Sequence, residues 1–123
     1  MDYREIQEPI LPLLNGAEAI LTREIGSRVD LIAELGRHTP IGKGKKIRAA
    51  FFFLLARLNR VSAGGLPILG AAIEMLHLSS LVHDDIIDHS TRRRGQKTPN
   101  HHFGDTLSVL WGDFLFISSI RLL

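Results

Sequence analysis

Residues 66–88, LPILGAAIEMLHLSSLVHDDIID, constrain the fold more than any other stretch of the chain. Leu66-Pro67 opens a helix, because proline is well placed in a first turn. The pattern then continues as one apolar helix to about Asp88. A helix of that length and apolarity needs other elements packed around it. The rest of the chain has the same texture. Residues 4–35 carry Ile6, Ile10, Leu13, Leu14, Ala17, Ile20 and Leu21 at three- and four-residue steps. Pro9, Pro12 and Asn15-Gly16 are expected to break or bend that helix early. Gly26-Ser27 marks a further boundary with Ser27 as N-cap, and Gly36 and Pro40 end the element. Residues 39–44 read as a loop. Residues 45–60 read as a second helix whose centre, AAFFFLLARL, is apolar nearly all round and therefore expected to be buried. Ser62 to Gly65 form the next turn. Residues 90–104 read as a polar loop and 105–123 as a fourth helix, strongly apolar. Alternating β-branched runs are absent, so the predicted class is all-α.

Two stretches invite a membrane reading. Residues 66–82 are interrupted by Glu74 and His77, and residues 107–123 by Asp113 and Arg121. Neither gives the roughly 20 uninterrupted apolar residues of a span, so both are expected to be core helices. The 123 residues, 45% hydrophobic and 23% charged, are enough for one small domain and exclude a disordered tail. Zero cysteines exclude a disulfide scaffold, a thiolate zinc site and a thiol nucleophile. The start, MDYREIQEPI, lacks a signal-peptide pattern, so a cytoplasmic protein is the default. The last helix stops at Leu122-Leu123 without a glycine or polar cap, an ending expected of a fragment.

Net charge is +2, but the charges are segregated. Seven of the 13 acids lie between Asp2 and Glu34, and none follows until Glu74. Arg37, Lys43, Lys45, Lys46 and Arg48 form one basic run, and Arg92, Arg93, Arg94 and Lys97 another. Such segregation points to an anionic partner.

Asp84, Asp85 and Asp88 stand at i, i+1 and i+4 near the end of the long helix. Residues four apart share a face, so Asp84 and Asp88 can hold a hard cation between them with Asp85 beside them. Carboxylate pairs suit Mg²⁺, which keeps the rest of its shell for water and phosphate oxygens. Acids are unfavourable at a helix C-terminus, which makes an accidental cluster less plausible there. Ser80 and His77 lie on the same face, one and two turns back, giving a polar stripe of the kind that lines a cavity. His83, His89, His101 and His102 are weaker signals, each more often a solvated or satisfied histidine than a ligand. Lys45, Lys46 and Arg48 fall at a loop-to-helix junction, where cations oppose the helix dipole. A bound anion is the expected compensation. The spacing is not that of a P-loop. Arginines 92–94 close behind Asp88 suggest a diphosphate held from both sides. A nucleic-acid surface is disfavoured, since no aromatic residues interleave the basic ones.

The segment EMLHLSSLVHDDIIDHSTRRRG, Glu74 to Gly95, resembles the first aspartate-rich region of the trans-isoprenyl diphosphate synthases, or polyprenyl synthetases. GKKIRA at 44–49 is similar to that family's GKRxRP element, departing at Lys46 and Ala49. PNHHFGDTLSVLWGD, ending at Gly112-Asp113, resembles the stretch leading into the next core helix. The resemblance implies an all-α bundle of the isoprenoid synthase type around a deep cavity, with residues 1–123 as the N-terminal portion of a single domain. It implies Mg²⁺-dependent condensation of isopentenyl diphosphate with an allylic diphosphate. Asp84 and Asp88, supported by Asp85, would hold Mg²⁺ against the allylic diphosphate, which Arg93 would also bind. Lys45, Arg48, His77 and Arg94 would bind the diphosphate of isopentenyl diphosphate. Ser79 and Ser80, both small, would leave the product pocket open for a medium or long chain, with Ile73 and Leu76 deeper in it. The family implies a homodimer and a product associated with membranes. Its second aspartate-rich motif is missing from this sequence, so the 123 residues alone are expected to be inactive. The competing readings are a non-catalytic helical partner of a prenyl diphosphate synthase, and an HD-type phosphohydrolase built on His83-Asp84.

Overall fold

The computed structural model describes residues 2–26, 29–39 and 44–123. Ser27, Pro40 and Lys43, with most of the expected 39–44 loop, lie outside the described residues. The chain opens with a short helix α1, Tyr3–Gln7, whose Glu5 carboxylate accepts the Asp2 amide at 3.3 Å. A 3₁₀ turn over Glu8–Ile10 carries Pro9 and leads directly into α2, Leu11–Ile25. The expected break therefore falls at Pro9 alone. Pro12 sits in the first turn of α2, where its missing N–H is no loss. Asn15-Gly16 does not interrupt the helix. A Cβ on Gly16 would stand 3.1 Å from the Pro67 ring, so the glycine serves a close helix approach instead of a turn. Helix α2 ends at Gly26, and α3, Asp30–Arg37, follows with Val29 at its N-cap.

Helix α4 spans Ile47–Leu58 and α5 spans Leu66–Ile87, with a 3₁₀ turn at Ala63–Gly65 between them. Both end on residues with left-handed backbones, Arg60 at φ 55° and His89 at φ 53°. In each case an amide reaches back to close the last turn: Val61 to the Ala56 carbonyl, and Ser90 to that of Asp85, both at 2.9 Å. The expected polar loop after α5 is ordered structure. Strands β1, Arg92–Arg93, and β2, Gln96–Lys97, pair antiparallel. Arg94 (φ 50°) and Gly95 (φ 78°) make the two-residue turn between them, both with the positive φ that a tight hairpin requires. Helix α6, Pro99–Phe103, and helix α7, Asp105–Leu122, complete the order. The ladder is too short to show the alternation by which a strand is read from sequence. Thr98 caps α6 and donates to the Ser90 carbonyl at 2.7 Å, tying this region back to the end of α5.

Helix α5 runs through the centre against α2, α4 and α7. By length and composition the segment Ala63–Ile87 is apolar enough to cross a membrane, but here it occupies the position of a core helix. Phe53, Met75, Trp111 and Leu115 are the centre of the core. The Trp111 indole donates to Thr39 Oγ1 at 2.9 Å, and that hydroxyl donates to the Leu35 carbonyl, so α3 is fastened to α7. The expectation that α4 is buried all round is corrected. Ala49, Ala50, Phe53 and Ala56 are buried, while Phe51 and Leu58 on the opposite side are 64% and 79% exposed. Among the described residues α4 has neighbours on one side, and its apolar character exceeds what one side can bury. The outer face of α7, with Leu110, Ile117 and Ile120, is exposed in the same way.

The α4–α5 contact depends on Gly70. A Cβ there would lie 2.2 Å from Cζ of Phe53, whose side chain is fully buried and has no room to swing aside. Gly70→Ala is expected to lower stability by about 1–3 kcal/mol, read as a fall in the urea midpoint.

Candidate functional site

The C-terminal end of α5 separates the three aspartates. Asp84 and Asp88 are exposed, one helical turn apart. Neither carboxylate forms a hydrogen bond or ion pair among the described residues. Asp85 is turned inward and is 3% exposed. Its two oxygens accept a forked pair from Arg93, Nε at 3.0 Å and Nη2 at 2.7 Å. The Arg93 guanidinium is held above its ordinary pKa, chiefly by that hydrogen bond and also by the charges of Asp85, Asp84 and Asp88. The carboxylate expected to support a metal ion is thus engaged in the interior, and so are two donors of the arginine expected on the allylic diphosphate. No group of three or more histidine or acidic side chains among the described residues is arranged to enclose a metal ion. What faces outward is a pair of hard oxygen ligands with no competing partner among the described residues, a donor set that fits an Mg²⁺ otherwise shelled by water and phosphate.

One to three turns back along α5 lies an open groove of about 590 Å³, lined by Arg48, Ile73, Leu76, His77, Ser79, Ser80, His83 and Phe116. It brings all four expected pocket residues beside two of the expected diphosphate ligands. Ser79 is buried, and its hydroxyl donates to the Gly112 carbonyl at 2.8 Å, fastening α5 to α7. Ser80 is exposed and donates to the His77 carbonyl at 2.7 Å. Phe116, contributed by α7, is not among the residues the sequence points to. Its signal was its place four residues after Gly112, at the tight point of the α5–α7 contact. A Cβ on Gly112 would be 2.2 Å from Nε2 of His83. His83 itself is within 3.3 Å of the Val109 carbonyl and 3.4 Å of Asp113, so it packs between helices. His102 stacks on His38 at 4.4 Å, also a packing role.

The basic residues gather at the same end. Partial burial depresses the His77 pKa below 6.5, helped by the positive charges of Arg48, Arg93 and Arg94 against the opposing pull of Glu74. The Arg94 guanidinium lies against Gly44, within 3.4 Å of where a Cβ would stand. Lys45 follows directly, its ammonium 5.8 Å from the Tyr3 ring centroid. Arg48 and Arg94 therefore act on His77 from the start of α4 and from the hairpin turn, while the Lys45 ammonium lies on the α1 side, over the Tyr3 ring.

The expected compensation at the start of α4 is internal. The Glu74 carboxylate, 8% exposed, accepts the Ala49 amide in the first turn at 3.0 Å. The helix end that was expected to attract a foreign anion already holds one from α5. Glu74 was legible as a lone acid in an apolar run, since a buried carboxylate needs a partner. Lys46 is likewise committed, pairing with Glu18 of α2.

The chain is similar to known proteins over most of its length. The polyprenyl synthetase family model matches residues 29–123. Octaprenyl diphosphate synthase of Escherichia coli is 34% identical over the whole chain, which spans 38% of that protein. Heptaprenyl diphosphate synthase component 2 of Geobacillus stearothermophilus is 33% identical over 88% of the chain and 34% of its own length. Among solved structures, a polyprenyl synthase from Caulobacter crescentus complexed with calcium and isoprenyl diphosphate superposes with a TM-score of 0.92. It is 30% identical, over 98% of this chain and 37% of that one. The chain thus spans well under half the length of these relatives.

The depressed His77 predicts a pH effect of definite sign. Between its native pKa and the ordinary 6.5, the unfolded chain binds more protons at this site than the folded one. The stability owed to neutral His77 is complete above pH 6.5 and is lost on acidification below it. His77→Asn should flatten the fall in melting temperature between about pH 7 and about pH 5.

Proposed function

The chain belongs to the polyprenyl synthetase family, and from that premise we propose that residues 1–123 form the N-terminal portion of one catalytic domain. The reaction we assign to it is the Mg²⁺-dependent condensation of isopentenyl diphosphate with an allylic diphosphate. The observation that carries this reading is the layout of α5. Outward carboxylates stand at one end, a basic cluster lies beside its middle, and an apolar-walled groove runs between and below them. That layout offers two different anion environments and a wall against which a hydrocarbon chain can lie.

In this reading Asp84 and Asp88 hold the metal. Mg²⁺, when bound, neutralises negative charge growing on a departing diphosphate. Arg93 keeps Asp85 paired and adds its positive field to the same face. Lys45, Arg48, His77 and Arg94 hold the second diphosphate without a metal, as suits a group that must stay attached. Neutral His77 serves there as a hydrogen-bond donor, and the arginines supply the charge. Ile73, Leu76 and Phe116 keep water from an allylic cation. No side-chain nucleophile is needed.

We propose a medium- or long-chain product, because Ser79 and Ser80 leave the wall of the groove low. The octaprenyl-forming relative supports that choice. We further propose a dimeric, cytoplasmic enzyme whose product passes to membranes. The relative that is one component of a heptaprenyl synthase supports subunit partnership, and it also keeps a helical partner subunit as the second reading. The second aspartate-rich motif of the family is missing from these 123 residues, so the chain by itself should turn over nothing.

In the complete synthase, Asp84→Ala or Asp88→Ala should reduce Mg²⁺-dependent incorporation of labelled isopentenyl diphosphate by roughly 10²–10³-fold or more. Near-normal turnover by either variant would refute the metal assignment. Ser80→Phe should shorten the product on thin-layer chromatography, and an unchanged chain length would remove Ser80 from the pocket.

A further inference from the structure

Lys46, the residue that precedes α4, carries a strained backbone that something must hold. Lys46 is left-handed, at φ 46° and ψ 43°, which a residue with a Cβ adopts at a cost of about 1 kcal/mol. The kink turns the Lys45 carbonyl away from the groove and towards α1. There it accepts two hydrogen bonds, from the Tyr3 hydroxyl at 2.5 Å and from Gln7 Nε2 at 3.2 Å. Lys46 is tethered in the same direction by Glu18. Tyr3 and Gln7 are one turn apart on α1, so the short helix presents both donors to a single oxygen. The Tyr3 phenol stays protonated and able to donate, since burial and the nearby Glu74 charge raise its pKa.

On the other side of the kink, Gly44 lies against the Arg94 guanidinium, and Arg48 stands one residue into α4. The Lys45 carbonyl is thus the fixed point from which the loop reaches Arg94 and the helix reaches His77. We infer that Tyr3 and Gln7 are positioning residues for the isopentenyl diphosphate pocket, acting through the Lys45 carbonyl to hold Lys45 and Arg48 in register with His77 and Arg94. This rests on the reading of that pocket given above. It assigns to α1, which touches no substrate in that reading, control over one of the two substrates and not the other. Asp84 and Asp88 stand on α5 and are not reached by this linkage.

The test uses the complete synthase with Tyr3→Phe, Gln7→Leu and the double variant, beside Lys45→Ala. Tyr3→Phe keeps the ring under the Lys45 ammonium and removes the hydroxyl alone. The double variant should raise KM for isopentenyl diphosphate roughly tenfold while KM for the allylic substrate and kcat stay within about twofold. Each single variant should give part of that rise. Hydrogen exchange of the backbone amides over residues 44–48 should be faster in the double variant, by up to about tenfold for the loss of such bonds. Unchanged exchange would show that α1 does not hold the kink and would overturn the inference. Faster exchange with an unchanged KM for isopentenyl diphosphate, or with equal rises for both substrates, would overturn it as well. A Lys45→Ala variant with normal KM would instead refute the pocket reading. The exchange measurement would then alone decide whether α1 holds the kink.

Discussion

Asp85 takes a carboxylate into the interior, and it does so because Arg93 meets both of its oxygens. An unpaired charge at that depth would cost several kcal/mol, so the pair has to be assembled for α5 to end as it does. Its assembly dictates the chain that follows. Arg93 arrives on a hairpin whose turn needs positive φ at both Arg94 and Gly95. Behind the hairpin, Thr98 and the Asn100 amide bond to the Ser90 carbonyl, and that amide also reaches the Asp85 carbonyl. With Arg93 committed inward, the turn carries Arg94 across to Gly44. One ion pair thus sorts the acids and the arginines together. One of each is used to hold the fold, while Asp84 and Asp88 stay exposed and Arg94 lies against Gly44.

The sequence shows α5 almost to the residue, because apolar periodicity and a first-turn proline leave little choice over Leu66–Ile87. It shows that Asp84 and Asp88 share a face. It does not show that the third face, where Asp85 points, is the interior, since that depends on what the hairpin delivers. The hairpin was hidden for a local reason. Two residues per strand carry no alternation, and Arg-Gly is not among the strongest turn pairs. The stripe from His77 to Asp88 was legible as spacing, and the structure adds that Arg48 and Arg94 come to the same place from distant parts of the sequence.

Apolar composition was the less informative signal. AAFFFLLARL reads as buried and the last helix as a core helix, yet Phe51, Leu55, Leu58, Ile117 and Ile120 face outward among the described residues. Period and composition report that a face favours cover. They do not report that the cover comes from the same 123 residues. The buried side of α4 is instead marked by small residues, Ala49, Ala50 and Ala56, around one fully buried phenylalanine. Small residues record close approach, because a helix can come near only where side chains are short. The same holds at Gly112, where α5 and α7 meet, and at Gly70 opposite Phe53.

The basic run before α4 shows how charge counts mislead in the other direction. Read as a list, Lys45, Lys46, Arg48 and a helix N-terminus promise a dense positive site. In the fold, Glu18 takes Lys46 and Glu74 takes the Ala49 amide. The tightest anion site of the segment is therefore filled by the protein, which stabilises α4 without any ligand. Arg48 remains on the groove side while Lys45 lies over the Tyr3 ring, and both reach out through long, adjustable side chains instead of through a rigid row of amides. In the proposed reading, such a site would gain its affinity from where the backbone puts two flexible cations, not from the helix dipole. The backbone angle at Lys46, and whatever holds it, is in that reading the quantity on which diphosphate binding would depend.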